Sequence, residues 1–243
     1  MAKIIVISGA STGIGAETAR LLAEGNRIFI HYNASREAAE QTASEVQDRG
    51  GTAHLIQADL FSEAGCDALY SEVSVMTNRI DVLVNNAGGL VQRQEVRGIE
   101  WNLMQRVFSL NTFSTILLTS LFVPLLEKGT NPCIVNVTSI AARHGAPTAT
   151  LYGAAKGAID SFTRGAAAEL APAIRVNAVA PGVIETPFHE RYSTPARMQQ
   201  FRNNTPLKRN GQTADVARAI QFLIENNFIT GETIDVNGGL FMR

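Results

Sequence analysis

The chain has 243 residues, 45% of them hydrophobic, and its 21 basic and 22 acidic side chains leave a formal charge of −1. This size and apolar share suit one α/β domain with a sizeable core and exclude a disordered chain. The balanced charge lacks the basic excess that a nucleic-acid partner needs, and no run of 18 or more apolar residues marks a membrane span.

Lys3–Ser8 (KIIVIS) is rich in β-branched residues and ends at glycine, which predicts a buried strand. Gly13–Gly25 predicts a helix with Ala16, Ala19, Leu22 and Ala23 on one face. Arg27–Tyr32 (RIFIHY) reads as a second strand. Ser35–Arg49 reads as a charged helix, with Ser35 a candidate cap and Gly50-Gly51 ending it. Thr52–Gln57 is the third strand, Glu63–Met76 a helix and Asp81–Asn85 the fourth strand. Trp101 to about Leu126 reads as one long helix, apolar enough to be largely buried. Cys133–Thr138, Ala173–Ala180 and Glu232–Val236 complete the strands; Leu151–Ala171 and Thr213–Glu225 complete the helices.

Strand and helix alternate throughout, which predicts a doubly wound Rossmann-type fold: a parallel sheet of about seven strands with helices on both faces. No linker, repeat or composition break appears, so a single domain over residues 1–243 is expected. The segment Phe188–Gly211 interrupts the rhythm and carries Arg191, Arg197, Arg202, Lys208 and Arg209. It is expected to be either a substrate loop or a solvated surface helix. Cys66 and Cys133 stand in no C-x-x-C pair or histidine cluster, so buried thiols in a cytoplasmic protein are expected and no metal site is. The N-terminus, MAKIIVISGA, shows no signal-peptide pattern. The expected partners are a small molecule and another copy of the chain.

Ser8–Gly15 (SGASTGIG) follows the first strand and opens the first helix. That arrangement cradles a pyrophosphate: Gly9 permits a tight turn, Gly13 a close backbone approach, and Gly15 close packing. Backbone N–H groups and the positive helix end then face the phosphates. The spacing is G-x-x-x-G-x-G rather than G-x-G-x-x-G. At the end of the second strand, an NAD binder usually places a carboxylate on the ribose. Here His31-Tyr32-Asn33-Ala34-Ser35-Arg36 has none before Glu37, and Asn33, Ser35 and Arg36 suit a 2′-phosphate. NADP(H) is therefore favoured, with NAD(H) the alternative.

Tyr152 and Lys156 are four residues apart, so they share one helix face. A phenol has a pKa near ~10, and a nearby ammonium is expected to lower it. Ser139 ends the fifth strand, and strand C-termini line the ligand crevice of such sheets. Its hydroxyl is placed to bond a substrate oxygen that Tyr152 protonates.

Together SGASTGIG, NNAG (Asn85–Gly88), Ser139, Tyr152-Gly-Ala-Ala-Lys156 and Pro181-Gly182 resemble the short-chain dehydrogenase/reductase family over essentially the whole chain. The resemblance implies a fourth catalytic residue, Asn111, holding a water that links Lys156 to a proton relay. It implies that Lys156 and Tyr152 contact the nicotinamide ribose, and that Gly9, Ser11, Thr12, Gly13, Ile14 and Gly15 bind the phosphates. It further implies that Asn86, Ala87 and Gly88 line the cofactor, and that Asp59 and Leu60 meet the adenine. Pro181, Gly182, Ile184 and Thr186 would contact the nicotinamide and phosphate side. Asn85 is the exception, where a purely sheet-ordering role is as strong a reading. Phe228–Met242 and Val176–Pro187 are similar to 3-oxoacyl-[acyl-carrier-protein] reductases. Two departures stand out. Such reductases often have a basic residue at the position of Ala168, and NADP-binding members often have one at Thr12. The resemblance implies a carbonyl reductase that self-associates as a tetramer or dimer. An NAD-linked sugar or alcohol dehydrogenase and a non-catalytic nucleotide sensor are the alternatives.

Overall fold

A computed structural model describes residues 2–242, and the side chains of residues 189–191, Arg191 among them, lie outside the described residues. Seven strands, β1 (Ile4–Ile7), β2 (Arg27–Tyr32), β3 (Thr52–Gln57), β4 (Val82–Asn85), β5 (Cys133–Val137), β6 (Arg175–Pro181) and β7 (Thr233–Val236), form one sheet. Their order is β3-β2-β1-β4-β5-β6-β7 and every pairing is parallel, with Ile5 opposite Ile28 on one side and Val82 on the other.

Both faces of the sheet are covered, which explains why its strands are continuous apolar runs. Ile5, Ile7, Ile28, Ile30, Val82 and Val84 pack with α1 (Gly13–Leu21), α2 (Arg36–Asp48) and α10 (Thr213–Glu225). The alternate positions Val6, Phe29, Leu83, Ile134 and Val176 pack with α3 (Glu63–Met76), α5 (Ser114–Leu126) and α7 (Thr150–Leu170). The short α6 (Ala141–His144) follows β5.

The C-terminal ends of β4 and β5 are also tied by a buried amide chain. Asn85 Nδ2 donates to Asn136 Oδ1 (3.0 Å) and Thr119 Oγ1 (3.1 Å), and Asn136 Nδ2 donates to Thr163 Oγ1 (3.0 Å). This joins β4, β5, α5 and α7, and gives Asn85 the sheet-ordering role.

Two local expectations need correction. The first helix ends at Leu21 rather than Gly25, because Gly25 turns the chain at φ +68° with its N–H on the Gly50 carbonyl. Ser35 stands at the N-cap of α2 but makes no side-chain cap bond. The segment after β6 takes the helical one of its two expected forms, as α8 (Pro187–Tyr192) and α9 (Pro195–Asn204). Thr194 caps α9, its hydroxyl accepting the Arg197 N–H at 3.3 Å with Pro195 in the first turn.

The long helix runs from Trp101 to Leu126 as α4 (Trp101–Phe108), a π-turn (Ser109–Phe113) and α5. By length and composition it could cross a membrane, and half of it is buried inside the fold. Its apolar character has a core explanation: Leu118, Phe122, Leu125 and Leu126 pack in the layer shared with α3.

Candidate active site

Strand order reverses between β1 and β4, because β2 lies on one side of that pair and β5 on the other. The chains leaving the two C-terminal ends diverge and open a crevice. The Gly9–Gly15 turn leaves β1 there, and Asn86–Gly88 leaves β4. They are stitched together: Ser8 Oγ accepts the N–H groups of Asn86 and Ala87 (both 3.0 Å), and Asn86 Nδ2 donates to the carbonyls of Ser8 (3.0 Å) and Gly9 (2.8 Å).

This stitching leaves no room for side chains in the turn. A Cβ on Gly15 would lie 2.4 Å from the Gly9 carbonyl oxygen, and one on Gly9, which has φ +64°, would lie 2.9 Å from Ala87 Cα. Gly15 therefore serves close packing within the turn. Gly13 has φ +60° and its nearest neighbour across the crevice is Thr186, at 3.5 Å from the Cβ position. Thr186 thus stands opposite the turn, while Ile184 is bridged to Gly211, Gly182 lies against Asn237 and Pro181 ends β6. Thr12 occupies the N-cap of α1 without a side-chain cap bond, so the first N–H groups of α1, including those of Ile14 and Gly15, have no side-chain acceptor. Ser11 is held from behind by Thr42, whose hydroxyl donates to its carbonyl at 3.2 Å. An uncapped helix start beside side-chain-free backbone fits a pyrophosphate.

His31 is a site residue that the sequence reading passed over. It is buried in β2, and its Nδ1 accepts the Gly9 N–H at 2.9 Å while Nε2 lies 3.1 Å from the Ala58 carbonyl oxygen. An acceptor Nδ1 requires the neutral ring with its proton on Nε2, which then donates to Ala58. One histidine in an otherwise apolar strand, RIFIHY, was the available signal.

At the adenosine end, Asn33, Ser35 and Arg36 are exposed beside the end of β2. Asn33 Nδ2 donates to Asp59 Oδ1 (3.2 Å), and Arg36 Nε donates to Glu40 Oε1 (2.8 Å). The Asp59 side chain is exposed and Leu60 is buried beneath it.

The chemical end gathers three of the expected residues directly. Tyr152 and Ser139 are partly buried, with the Ser139 hydroxyl near enough to the phenol to favour its ionised form. Lys156 is buried, with Nζ over the Tyr152 ring at 5.9 Å from its centroid and donating to the Val137 carbonyl at 2.8 Å. The expected lowering of the phenol pKa is not found. Burial pushes Tyr152 up to about 12, opposed only by the Ser139 hydroxyl, and burial brings Lys156 down to about 8. The ammonium donates to Val137 and lies over the ring, and among the described residues no hydrogen bond joins it to the phenol oxygen.

Asn111 sits in the π-turn. Its Nδ2 donates to the Val107 carbonyl (2.9 Å), which would take the Asn111 backbone N–H in a regular helix, and to the Gly89 carbonyl (2.8 Å); its Oδ1 accepts the Gly89 N–H (2.9 Å). A Cβ on Gly88 would lie 2.8 Å from both Asn111 Oδ1 and Lys156 Nζ, so the two groups border one small volume.

Comparison with known proteins agrees with this geometry. A family model described as enoyl-(acyl carrier protein) reductase matches residues 9–241. The 3-oxoacyl-[acyl-carrier-protein] reductase of Synechocystis sp. is 36% identical over 250 residues, covering 99% of this chain and 98% of that protein. Among solved structures, the NADH-dependent reductase A1-R' responsible for alginate metabolism aligns with a TM-score of 0.91 at 29% identity, over 100% of this chain and 98% of that one. The angucycline C-6 ketoreductase LanV, solved with bound NADP, aligns with a TM-score of 0.90 at 25% identity, over 98% and 95% of the two chains. The chain belongs to the short-chain dehydrogenase/reductase family, and is an NAD(P)-dependent oxidoreductase acting on CH–OH and C=O groups.

His31 generates a prediction. Desolvation lowers its pKa, opposed by the Ala58 bond and Asp59. The unfolded chain takes up the proton near ~6.5 and the folded one only below that. Stability is therefore full above the unfolded value, falls as the pH drops through it, and levels off below the folded value. His31→Ala should cost about 1–3 kcal/mol at the alkaline end by orphaning the Gly9 N–H. It should also remove part of the slope that appears as the pH falls below about 7. Urea unfolding of both proteins across that range checks this; parallel curves would contradict it.

Proposed function

We propose that the protein is an NADP(H)-dependent carbonyl reductase in which Tyr152 is the general acid. The observation that carries this reading is the grouping of Tyr152, Ser139 and the buried Lys156 ammonium at the C-terminal end of β5, with Lys156 Nζ 5.9 Å from the Tyr152 ring centroid. The nicotinamide, when bound, supplies a hydride to the carbonyl carbon. The Ser139 hydroxyl orients the carbonyl oxygen. As charge accumulates on that oxygen, Tyr152 donates its proton, so C=O becomes CH–OH and the phenolate is left behind. Lys156 then carries the charge that steadies the phenolate. Asn111, fixed on both sides of Gly89, holds the water through which Lys156 is reconnected to solvent.

For the cofactor, Asn33, Ser35 and Arg36 present donors at the end of β2, and LanV binds NADP. The Arg36–Glu40 pair is exposed on one helix face, and such pairs are weak, so Arg36 is available to a 2′-phosphate. A second reading, an NAD-linked alcohol or sugar dehydrogenase, is favoured by that same pair, which places a carboxylate beside the phosphate position. A1-R' is NADH-dependent. We also propose a cytoplasmic homo-oligomer, since both cysteines are free and Trp101, Phe113 and Ile116 leave apolar surface on the long helix.

Tyr152→Phe should retain cofactor affinity and lower turnover by roughly 10²–10⁴; full turnover in steady-state assays would remove Tyr152 from this role. Arg36→Glu should raise the KM for NADPH by roughly tenfold or more and leave that for NADH within about twofold. Equal effects on the two cofactors would point to NAD.

A further inference from the structure

We infer that the carbonyl substrate carries an oxyanion, which Arg93 and Arg197 bind at the mouth of the cleft. This rests on the carbonyl-reductase reading and names its substrate class.

Three segments meet at Arg93. It lies in the loop after β4, and its Nε and Nη2 donate to the Tyr192 carbonyl of α8, both at 3.2 Å. Its Nη1 donates to Thr148 Oγ1, just before α7, at 3.3 Å. These segments leave the C-terminal side of the sheet around Tyr152. The path to the chemistry is short: Tyr192 packs on Phe188 at 5.3 Å between ring centroids, and Phe188 on Tyr152 at 6.1 Å.

Charge balance separates these two arginines from their neighbours. Arg143 is paired with Asp160 and Asp235, Arg202 with Glu185, and Arg209 with Asp215. Among the described residues, no carboxylate pairs with Arg93 or Arg197, although both are partly buried. The two repel each other: burial lowers the pKa of Arg93, and the charge of Arg197 lowers it further. Arg197 packs over the Phe201 ring at 5.5 Å. Two partly buried like charges whose acceptors among the described residues are all neutral are costly, and an anion between them offsets the cost. A guanidinium has five N–H donors. Three are used on Tyr192 and Thr148, which leaves one on each terminal nitrogen, the pair that an oxyanion takes up.

The test compares a keto acid with its methyl ester, and a keto phosphate with its free alcohol, in the parent enzyme, Arg93→Lys, Arg93→Gln and Arg197→Gln. The parent should favour at least one anion over its neutral counterpart by about tenfold or more in kcat/KM, with the preference shrinking as salt is added. The two glutamine variants should lose that preference and reduce neutral ketones within about twofold of the parent. Arg93→Lys should keep part of it. Arg197→Gln removes no hydrogen bond between elements, so it separates charge from folding. Equal rates on charged and neutral members, or variants that slow both alike, would overturn the inference. Should no carbonyl be reduced with either cofactor, the reductase reading fails by itself. Calorimetric titration of the keto acid then decides: binding lost in Arg197→Gln supports the anion site, and equal or absent binding overturns it.

Discussion

The Lys156 ammonium is buried where β5 ends, and the Val137 carbonyl takes its hydrogen bond at 2.8 Å. No carboxylate pairs with it among the described residues, so desolvation bears directly on its charge. The same low-polarity surroundings hold the Tyr152 phenol protonated. The two groups are pushed in opposite directions, to about 8 and about 12, by one cause. A site built this way offers a proton next to a cation and keeps both ready. In the proposed mechanism, proton donation would leave an anion beside the cation, which offsets part of the cost that burial imposes on each.

The scaffold exists to keep that cluster in register with the crevice. The Asn85–Asn136–Thr163 chain locks β4 and β5 to α7, the helix that carries Tyr152 and Lys156. The Ser8–Asn86 bonds lock the glycine turn to the loop that runs past Gly88 to Asn111. His31 adds a tie from the turn to the end of β3. Phosphate end and chemical end are therefore parts of one hydrogen-bonded frame rather than two sites on a common support. That frame explains why buried polar residues cluster near the strand C-termini, inside an otherwise apolar core.

Much of this was legible from residue patterns. Short apolar runs marked β1 to β5 within a residue or two, because strands of a sheet covered on both faces are apolar at successive positions. Tyr152, Lys156 and Ser139 were found because their spacing projects directly onto a helix face and a strand end. Asn111 was reachable only through the family resemblance, since a π-turn has no distinct apolar period. His31 was missed because its partners, Gly9 and Ala58, are 22 and 27 positions away. The pKa of Tyr152 was misjudged in direction, because spacing shows that Lys156 is near but not how strongly the fold desolvates the phenol. The two helices after β6 were masked by their polar composition, though Thr194-Pro195 was a readable start.

Initial rates with NADPH and NADH across a panel of ketones, with an acetoacetyl thioester among them, test the central claim most directly. The expected result is oxidation of the reduced nicotinamide in step with formation of the alcohol, faster with NADPH. Tight nucleotide binding with no turnover of any carbonyl, and none of the corresponding alcohols in reverse, would contradict it.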